Sequence, residues 1–307
     1  MNGIINVFKE KGYTSFDVCA KLRRILKTKK IGHTGTLDPD AQGVLPVCVG
    51  NATKLCDMLT DKDKVYEAVL VLGITTDTED ETGRILSTKE VTAQEEEVAK
   101  VIKGFIGPYQ QIPPMYSAIK VNGQRLYELA RQGKVIERKS RLVTIHAIDI
   151  LDVTRVENSL AVKEVRMRVS CSKGTYIRTL CKDIGEKLHV GGCMKSLLRT
   201  QVSVFQLEDS LKLDEIQELM ENNQVEQFMI PVDTCFWHLP KAIIQKEDEK
   251  YLYNGNILSI PQLQFDGIEE LEGKEQIRVY DSQNTFTGIY EYSTAKQCFQ
   301  PVKMFLQ

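Results

Sequence analysis

The chain has 307 residues and a formal net charge of −2, and this length predicts a globular main domain with a smaller second domain. The near-neutral charge excludes a uniformly basic nucleic-acid binder. Charged residues come before any apolar leader region could form, and no later apolar run approaches membrane-spanning length, so we expect a cytoplasmic location.

The pattern of apolar residues predicts a chain that mixes strands and amphipathic helices. In the first half these are a strand at 3–8, a helix at 15–26 with Thr14 or Ser15 as its N-cap, a short helix at 51–60, a strand at 65–73, a polar loop at 75–83 and a helix at 91–106. The second half continues with a helix at 126–132, antiparallel strands at 142–151 and 160–169, a helix within 171–188, an acidic helix at 211–227 and short strands such as 276–280 and 286–290. Pro231 and an aromatic-proline turn at 236–240 indicate a linker, so we divide the chain into a main domain, 1–230, and a small C-terminal domain, 231–307.

The most unusual segment is the loop at 30–50, which is rich in glycine and proline and follows a cationic run. Pro39 biases Asp38 toward an extended backbone, so that carboxylate is held on a stiff chain. Asp40 is the alternative working carboxylate, although the Asp-Ala-Gln-Gly sequence there favours an Asx turn. Glycine, proline and aspartate also form plain surface turns, and that is the competing interpretation. The length of the loop, its histidine and the adjacent cations favour an active-site loop that meets a polyanion.

Basic residues are concentrated in three segments, although the net charge is near zero. Residues 1–32 hold eight Lys and Arg against two acids, residues 120–141 hold seven against two, and residues 161–203 hold nine against three. Basic and aromatic residues interleave in the second segment, a mixture that suits phosphate contacts and base stacking. Solvated helix faces with core tyrosines can give the same pattern. The segregation favours a polyanion-binding face.

The eight cysteines include no Cys-x-x-Cys pair and lie in apolar or mixed contexts. This pattern favours buried free thiols over a disulfide framework or a zinc site. We therefore expect no bound metal.

Residues 32–46, Gly-His-Thr-Gly-Thr-Leu-Asp-Pro-Asp-Ala-Gln-Gly-Val-Leu-Pro, strongly resemble the catalytic motif of the TruB family of tRNA pseudouridine synthases. That family converts the uridine at position 55, in the T-loop of tRNA, into pseudouridine. Further segments at 111–131, 173–179 and 196–203 resemble its other signatures in the same order, so the likeness covers roughly residues 9–200. The sequence departs from the family twice: Glu10 replaces a proline in the Lys-Pro-x-Gly turn, and Leu198 replaces one of two consecutive arginines.

The resemblance implies an α/β (α+β) protein with the pseudouridine synthase fold, in which helices flank a mixed, mainly antiparallel sheet. It also implies an RNA-binding insertion at about 75–131 and a small β-rich, PUA-like C-terminal domain. The substrate partner would be the tRNA T-arm. No membrane and no obligate protein partner are implied, and we expect a monomer.

The resemblance also implies roles for individual residues. Asp38 matches the catalytic aspartate and Arg178 the arginine that pairs with it, although an arginine in such a helix is usually an exposed cation. Tyr66 matches the tyrosine that stacks on the target base; its sequence context alone favours a half-buried strand aromatic. The remaining implied site and RNA-binding residues are His33, which occupies the space that the base vacates, Asp80 in the surrounding network, Tyr176 in the pocket, Leu197 in its apolar floor, and Lys120, Arg125 and Arg199 toward the RNA.

Conversion of uridine to pseudouridine breaks the N1–C1′ bond, turns the base and joins C5 to C1′, so it requires no cofactor, nucleotide or metal. A carboxylate beside the sugar can stabilise oxocarbenium-like charge or attack covalently, as in glycosidases. The sequence leaves open whether Asp38 bonds the sugar, bonds the base or removes a sugar proton. Two other functions compete: a noncatalytic tRNA-binding or tRNA-folding protein, and a nucleoside hydrolase that releases free uracil.

Overall fold

The computed structural model describes residues 1–121, 123–159, 161–266 and 273–306. Leu160, where the second antiparallel strand is predicted to begin, and Asn122, within the segment 111–131, lie outside the described residues. The strands are β1 Gly3–Lys9, β2 Ile31–His33, β3 Gln42–Val49, β4 Lys64–Leu72, β5 Ile74–Thr76, β6 Ile85–Thr88, β7 Gly107–Gln111, β8 Lys120–Val121, β9 Gln124–Arg125, β10 Arg141–Arg155, β11 Val162–Cys171, β12 Gly192–Val202, β13 Phe205–Gln206, β14 Lys241–Ile244, β15 Leu258–Ser259, β16 Leu263–Asp266, β17 Gln276–Tyr280, β18 Phe286–Ser293 and β19 Cys298–Met304. The α-helices are α1 Ser15–Ile25, α2 Cys56–Thr60, α3 Glu95–Lys103, α4 Leu126–Arg131, α5 Ile177–Lys187, α6 Leu213–Glu221 and α7 Glu249–Tyr253, and 3-10 helices occupy Gly50–Leu55, Val225–Phe228, Val232–Phe236, Lys246–Asp248 and Ile260–Gln262.

A nine-stranded sheet forms the centre of the main domain. Its strand order is β1-β3-β12-β4-β11-β10-β7, with β2 beside β3 and β13 beside β12. Among the described strand pairs of this sheet only β3 and β12 run parallel, and the others, including the predicted pair β10 and β11, run antiparallel. The predicted mixed, mainly antiparallel sheet is therefore confirmed. The pairing of β3 with β12 brings the loop that precedes β3 next to the segment 196–203.

Helices cover both sides of the sheet because successive strand residues point to opposite faces. One face of β1 and β3 packs with α1 and α6 through Ile5, Val7, Leu45, Val47 and Val49. On the other face, Ile4, Val44 and Cys48 pack with Phe236 and with residues of the C-terminal region. α3 and α5 bury their apolar stripes against β4, β10 and β11. The core between these helices and strands includes Ile177 and Leu180 at the start of α5, so it fixes the position of that helix against the sheet.

α1 begins at a capping box, which is why its first residue is well defined. The Thr14 side chain accepts from the backbone N–H of Asp17, and the Asp17 carboxylate accepts from that of Thr14. Thr14 is thus the N-cap, one of the two predicted candidates.

The C-terminal region contains a six-stranded sheet in the order β15-β19-β18-β17-β14-β16. The strands predicted at 276–280 and 286–290 are confirmed as β17 and β18. This sheet has its own core. Two other residues of the C-terminal region, Ile289 and Phe305, pack instead in the core that contains Ile4, Val44 and Cys48 of β1 and β3. The predicted small β-rich domain is therefore present, while its boundary at residue 231 stays a prediction.

Several predicted elements differ from the observed ones. The helix predicted at 91–106 is too long, because α3 covers only Glu95–Lys103. The chain before it is extended along the start of β11, where the Ala93 carbonyl accepts from Val162 N at 2.9 Å. Tertiary pairing has overridden helical propensity there. The helix predicted at 211–227 is α6 followed by a 3-10 turn, the helix at 51–60 likewise divides into a 3-10 helix and α2, and the polar loop at 75–83 starts with β5.

All eight cysteines are free, and all except Cys56 are buried, which confirms the prediction of free, largely buried thiols. Within the described ranges, no helix combines the length and the apolar character needed to cross a membrane.

Candidate active site

A cavity of about 290 Å³ lies between the loop at 34–41, which we call the Asp38 loop, strands β4 and β12 and the start of α5. Its volume is near the lower end of the roughly 300–1,000 Å³ typical of small-molecule sites. The residues predicted for the site that line it are Asp38, Tyr66, Tyr176, Arg178, Leu197 and Arg199. A second cavity, of about 600 Å³, lies in the C-terminal domain and is lined by none of the predicted site residues.

The Asp38 loop is anchored on either side of its carboxylate. The backbone N–H of Leu37 donates to Ser15 Oγ at 2.9 Å. The Pro39 carbonyl accepts from Lys9 Nζ at 3.1 Å. Lys9 is fully buried, and this burial lowers its pKa to about 8 while the nearby Asp38 opposes the change. Asp38 therefore lies between two fixed neighbours, and its backbone is set before any substrate arrives.

Arg199 supports the same loop from inside the protein. It is 1% exposed, and its Nε donates to the Val44 carbonyl at 2.7 Å. Its terminal nitrogens donate to the carbonyls of Gly35 and Thr36 at 3.3 and 3.4 Å. Burial lowers the pKa of Arg199, and the adjacent Tyr66 hydroxyl opposes that change. Arg199 is predicted to contact RNA, but its donors face loop carbonyls here, so a phosphate contact would require these bonds to open.

Gly43 permits the close approach of β3 to β12 at Arg199. It has a φ of 108°, a conformation that L side chains rarely adopt. A Cβ on Gly43 would lie 2.2 Å from the Arg199 carbonyl oxygen. Only glycine fits this position without moving the strands apart.

Asp38 and Arg178 form a two-point ion pair at the wall of the cavity. Arg178 Nε lies 2.9 Å from Asp38 Oδ2, and Arg178 Nη2 donates to Oδ1 at 3.2 Å. The Arg178 side chain is 5% exposed, whereas that of Asp38 is 39% exposed. Bidentate pairing of this kind fixes orientation as well as charge. The arrangement presents an oriented, accessible carboxylate on a buried cation.

Backbone carbonyls and a second acid complete the surroundings of Arg178. Nη1 donates to the Thr78 carbonyl at 3.0 Å, and Nη2 donates to the Tyr116 carbonyl at 2.9 Å. Asp80 lies 3.9 Å from Nε, but its Oδ1 accepts from the hydroxyls of Thr78 and Thr82 at 2.7 and 2.6 Å. Asp80 thus organises its own loop while it faces the guanidinium, behind the cavity lining.

Tyr66, Leu197 and Tyr176 supply the apolar and aromatic part of the cavity wall. Tyr66 on β4 and Leu197 on β12 are 8% and 9% exposed, and the two strands are hydrogen-bonded neighbours. Burial raises the pKa of Tyr66 and of Tyr176, so both phenols are neutral near pH 7. A flat pyrimidine could pack against such walls while its sugar faces Asp38.

Gln111 is a supporting residue that sequence reasoning missed. It is 1% exposed, its Nε2 donates to the Tyr176 carbonyl at 2.9 Å, and its Oε1 accepts from the Tyr176 N–H at 2.8 Å. These two bonds fix the residue that precedes α5 and therefore Arg178. The sequence feature that could have indicated this role is the position of Gln111, a polar residue directly before Ile-Pro-Pro.

Lys64, two residues before Tyr66, also escaped the sequence analysis. It is 7% exposed, lines the cavity and donates to the carbonyls of Thr60 and Lys62 at the end of α2. Burial lowers its pKa to about 8. Its adjacency to Tyr66 could have drawn attention to it.

His33 ends β2, directly before the Asp38 loop, and lies outside the cavity lining. Its Nδ1 accepts from the Gly35 N–H at 3.3 Å. Burial lowers its pKa, and the charge of Arg199 lowers it further, so the ring is neutral near pH 7. Asp40, the alternative carboxylate, is exposed and lies 3.7 Å from Lys11 rather than at the cavity.

Lys120 and Arg125 lie apart from the cavity lining, on a small hairpin. They are exposed and face each other across the β8–β9 pair. Arg125 Nη1 donates to the Tyr127 hydroxyl at 3.0 Å, and its guanidinium carbon lies 5.9 Å from the centre of that ring. Exposed cations backed by an aromatic ring suit contacts with a nucleic-acid backbone.

Comparisons with known proteins identify the family of the chain. Residues 23–177 match the TruB family pseudouridylate synthase N-terminal domain, and residues 178–236 match the tRNA pseudouridylate synthase B C-terminal domain. The tRNA pseudouridine synthase B of Lachnoclostridium phytofermentans is 67% identical over 307 residues, with 100% of both chains covered. The protein of the same name from Bacillus subtilis is 42% identical and covers 100% of this chain and 98% of its own length.

Solved structures show the same fold. A Cbf5–Nop10–Gar1 complex contains a chain with a TM-score of 0.72 and 25% identity, covering 99% of this chain and 85% of that chain. An H/ACA RNP bound to a substrate RNA containing 2′-deoxyuridine gives a TM-score of 0.73 at 23% identity and covers 99% of this chain and 85% of that chain. The matching family models and the full-length relatives confirm the resemblance: the chain belongs to the TruB family of pseudouridylate synthases.

Proposed function

We propose that this protein isomerises uridine to pseudouridine at position 55 in the T-loop of tRNA, with Asp38 as the catalytic carboxylate. The observation that carries the proposal is the bidentate contact between Arg178 and Asp38, at 2.9 and 3.2 Å, on the wall of a cavity that also bears Tyr66 and Leu197. Membership of the family supports the reaction and the tRNA substrate.

The reaction is a rearrangement within one nucleotide. The N1–C1′ bond breaks, a C5–C1′ bond forms, C5 loses its proton and N1 gains one, so atoms and electrons balance without a redox partner. Positive charge develops at C1′ as the base departs, and a carboxylate there can stabilise that charge or attack it. Both routes require Asp38 to be ionised. Arg178 places a cation against both carboxylate oxygens and donates a hydrogen bond to Oδ1.

The target base must leave the RNA stack to reach Asp38. Extrusion costs a few kcal/mol, which stacking in the pocket and contacts to the RNA backbone can offset. Tyr66 supplies an aromatic face, and Leu197 supplies an apolar surface that retains the detached base and excludes water. His33, directly before the Asp38 loop, is proposed to fill the gap in the RNA. Lys120 and Arg125 are proposed to contact phosphates.

The test is release of tritium from C5-labelled uridine in a T-arm transcript. Asp38→Asn keeps the shape of the side chain but removes its charge, and it should lower the single-turnover rate by at least about 1,000-fold. Asp40→Asn is the matched control, because Asp40 lies two residues away and its side chain is 53% exposed. Normal turnover by Asp38→Asn would remove Asp38 from the catalytic role.

The same assay separates the competing functions. A noncatalytic tRNA-binding or tRNA-folding protein would bind the transcript and release no tritium. A nucleoside hydrolase would leave free uracil and an abasic site, whereas the isomerase leaves none. We therefore expect the target uridine to be converted to pseudouridine with no release of free uracil.

We further propose that the protein acts in the cytoplasm as a monomer without an obligate protein partner, and that residues 231–307 form a PUA-like domain that assists tRNA binding. The Cbf5 relative is found in a complex with Nop10 and Gar1. Full turnover by the purified chain on a transcript alone, with a monomeric mass in light scattering, supports this proposal. A requirement for a second protein would contradict it.

A further inference from the structure

Glu79 is a buried carboxylate outside the Asp38–Arg178 pair. Its side chain is 10% exposed and extends from the loop after β5 toward α5. The Thr179 hydroxyl donates to Glu79 Oε2 at 2.6 Å, and Lys182 Nζ lies 3.7 Å from Oε1. Burial raises the pKa of Glu79, and the contacts with Thr179 and Lys182 oppose that change. A carboxylate this poorly solvated is tolerated because α5 supplies its partners.

The backbone around Glu79 is fixed as firmly as its side chain. Glu79 has a φ of 66°, in the left-handed region that residues other than glycine rarely occupy. Its carbonyl accepts from Met194 N at 3.0 Å, and Glu81 N donates to the Met194 carbonyl at 2.9 Å. These bonds attach the loop to β12. The preceding carbonyl, that of Thr78, accepts from Arg178 Nη1 at 3.0 Å.

We propose that Glu79 is a positioning residue for Arg178. The Glu79 carboxylate holds Thr179, while the Thr78 carbonyl holds the guanidinium of the residue before it on α5. Two consecutive loop residues thus fix two consecutive helix residues, and this sets the place where Arg178 meets Asp38. The inference rests on the proposed role of that pair in turnover.

The test compares Glu79→Ala with Glu79→Gln by single-turnover tritium release and by the Kd for the T-arm transcript. Alanine removes the acceptor for Thr179, so we expect the rate to fall about 10- to 100-fold, as small misplacements of reacting groups do. The Kd should stay within about twofold, because no RNA-contacting side chain changes. Glutamine keeps an oxygen acceptor and should restore most of the rate. Glu81→Ala, an exposed neighbour on the same loop, is the matched control and should turn over normally.

A second measurement separates positioning from general destabilisation. If Glu79 acts through Arg178, Glu79→Ala should lower the rate in the native background and add at most about a twofold loss in an Arg178→Lys background. An equal loss in both backgrounds overturns the proposal, and so does an unchanged rate for Glu79→Ala. If Glu79→Ala does not fold, Thr179→Val removes the same hydrogen bond with little change of volume, and the same comparison applies.

Asp38→Asn, measured in the same series, distinguishes a failure of the proposed role of Glu79 from a failure of the proposed isomerase activity. An inactive Asp38→Asn with a fully active Glu79→Ala refutes only the role of Glu79. An active Asp38→Asn refutes the proposed function itself.

Discussion

Replacing Arg178 by lysine tests whether geometry, rather than charge alone, makes Asp38 effective. Arg178 contacts both oxygens of Asp38 and also donates to the carbonyls of Thr78 and Tyr116. A lysine ammonium is a compact charge on a flexible chain and cannot reproduce a planar two-point contact. The variant therefore keeps a cation in the pocket, while the orientation of the carboxylate is lost.

The size of the effect follows from the contacts. A hydrogen bond to a charged group contributes about 1.5–3 kcal/mol. The Asp38 side chain is 39% exposed, so solvent screens the pair and the value must be discounted. After that discount we take a loss of about 1.4 to 2 kcal/mol in the transition state, which corresponds to a fall of about 10- to 30-fold in the single-turnover rate.

The assay is tritium release with enzyme in excess, together with a separate measurement of the Kd for the transcript. The Kd should change by less than about twofold, because Arg178 is assigned to the reacting centre rather than to the RNA backbone. Arg168→Lys is the matched control, since Arg168 is a 49% exposed arginine that pairs with Glu67 on a neighbouring strand. An unchanged rate for Arg178→Lys, or a loss that appears only in the Kd, would refute the reasoning.

Three further predictions concern Tyr66, the hairpin cations and His33. Tyr66→Leu keeps an apolar wall but removes the aromatic face; because stacking contributes about 1–3 kcal/mol, the single-turnover rate should fall about 5- to 150-fold, and normal turnover would exclude the stacking role. Lys120→Ala combined with Arg125→Ala should weaken transcript binding and reduce the slope of log Kd against log salt by roughly 1.4–1.8, whereas an unchanged slope means that these cations face only solvent. The lowered pKa of His33 means that the unfolded chain binds more protons below its ordinary value of 6.5, so the native state loses stability as the pH falls from there through the native pKa. His33→Asn should therefore show a shallower loss of stability in urea melts toward about pH 5, and parallel curves would contradict this.

The order of strands and helices was largely predictable because alternation and amphipathic spacing are local properties of the chain. The strand pair at 142–151 and 160–169 and the helix that carries Arg178 follow from such patterns. The helix predicted at 91–106 was too long, because residues 91–94 gain more from pairing beside β11 than from helical propensity. Local patterns cannot report that competition.

The groups that surround Arg178 illustrate what side-chain motifs omit. The carbonyls of Thr78 and Tyr116 accept from its guanidinium, and any residue type at those positions could supply them. Gln111 and Glu79 make buried contacts with residues far away in sequence. A glutamine or a glutamate at these positions does not indicate a role by its residue type, because its partners are brought close only by the fold.

By itself the sequence determined the chemistry that is available: a carboxylate stiffened by the following proline, an arginine near the start of a helix, and an aromatic residue on a strand, all within segments that resemble one family. The tertiary structure alone decided which of two nearby carboxylates faces a cavity, and that Arg199 lies inside the protein. The parallel pairing of β3 with β12 places Arg199 beside the Asp38 loop. The packing of α5 against the sheet brings Arg178 to Asp38, while Asp40 remains in solvent. Such long-range pairing depends on the packing of the whole sheet, which no local stretch of sequence encodes.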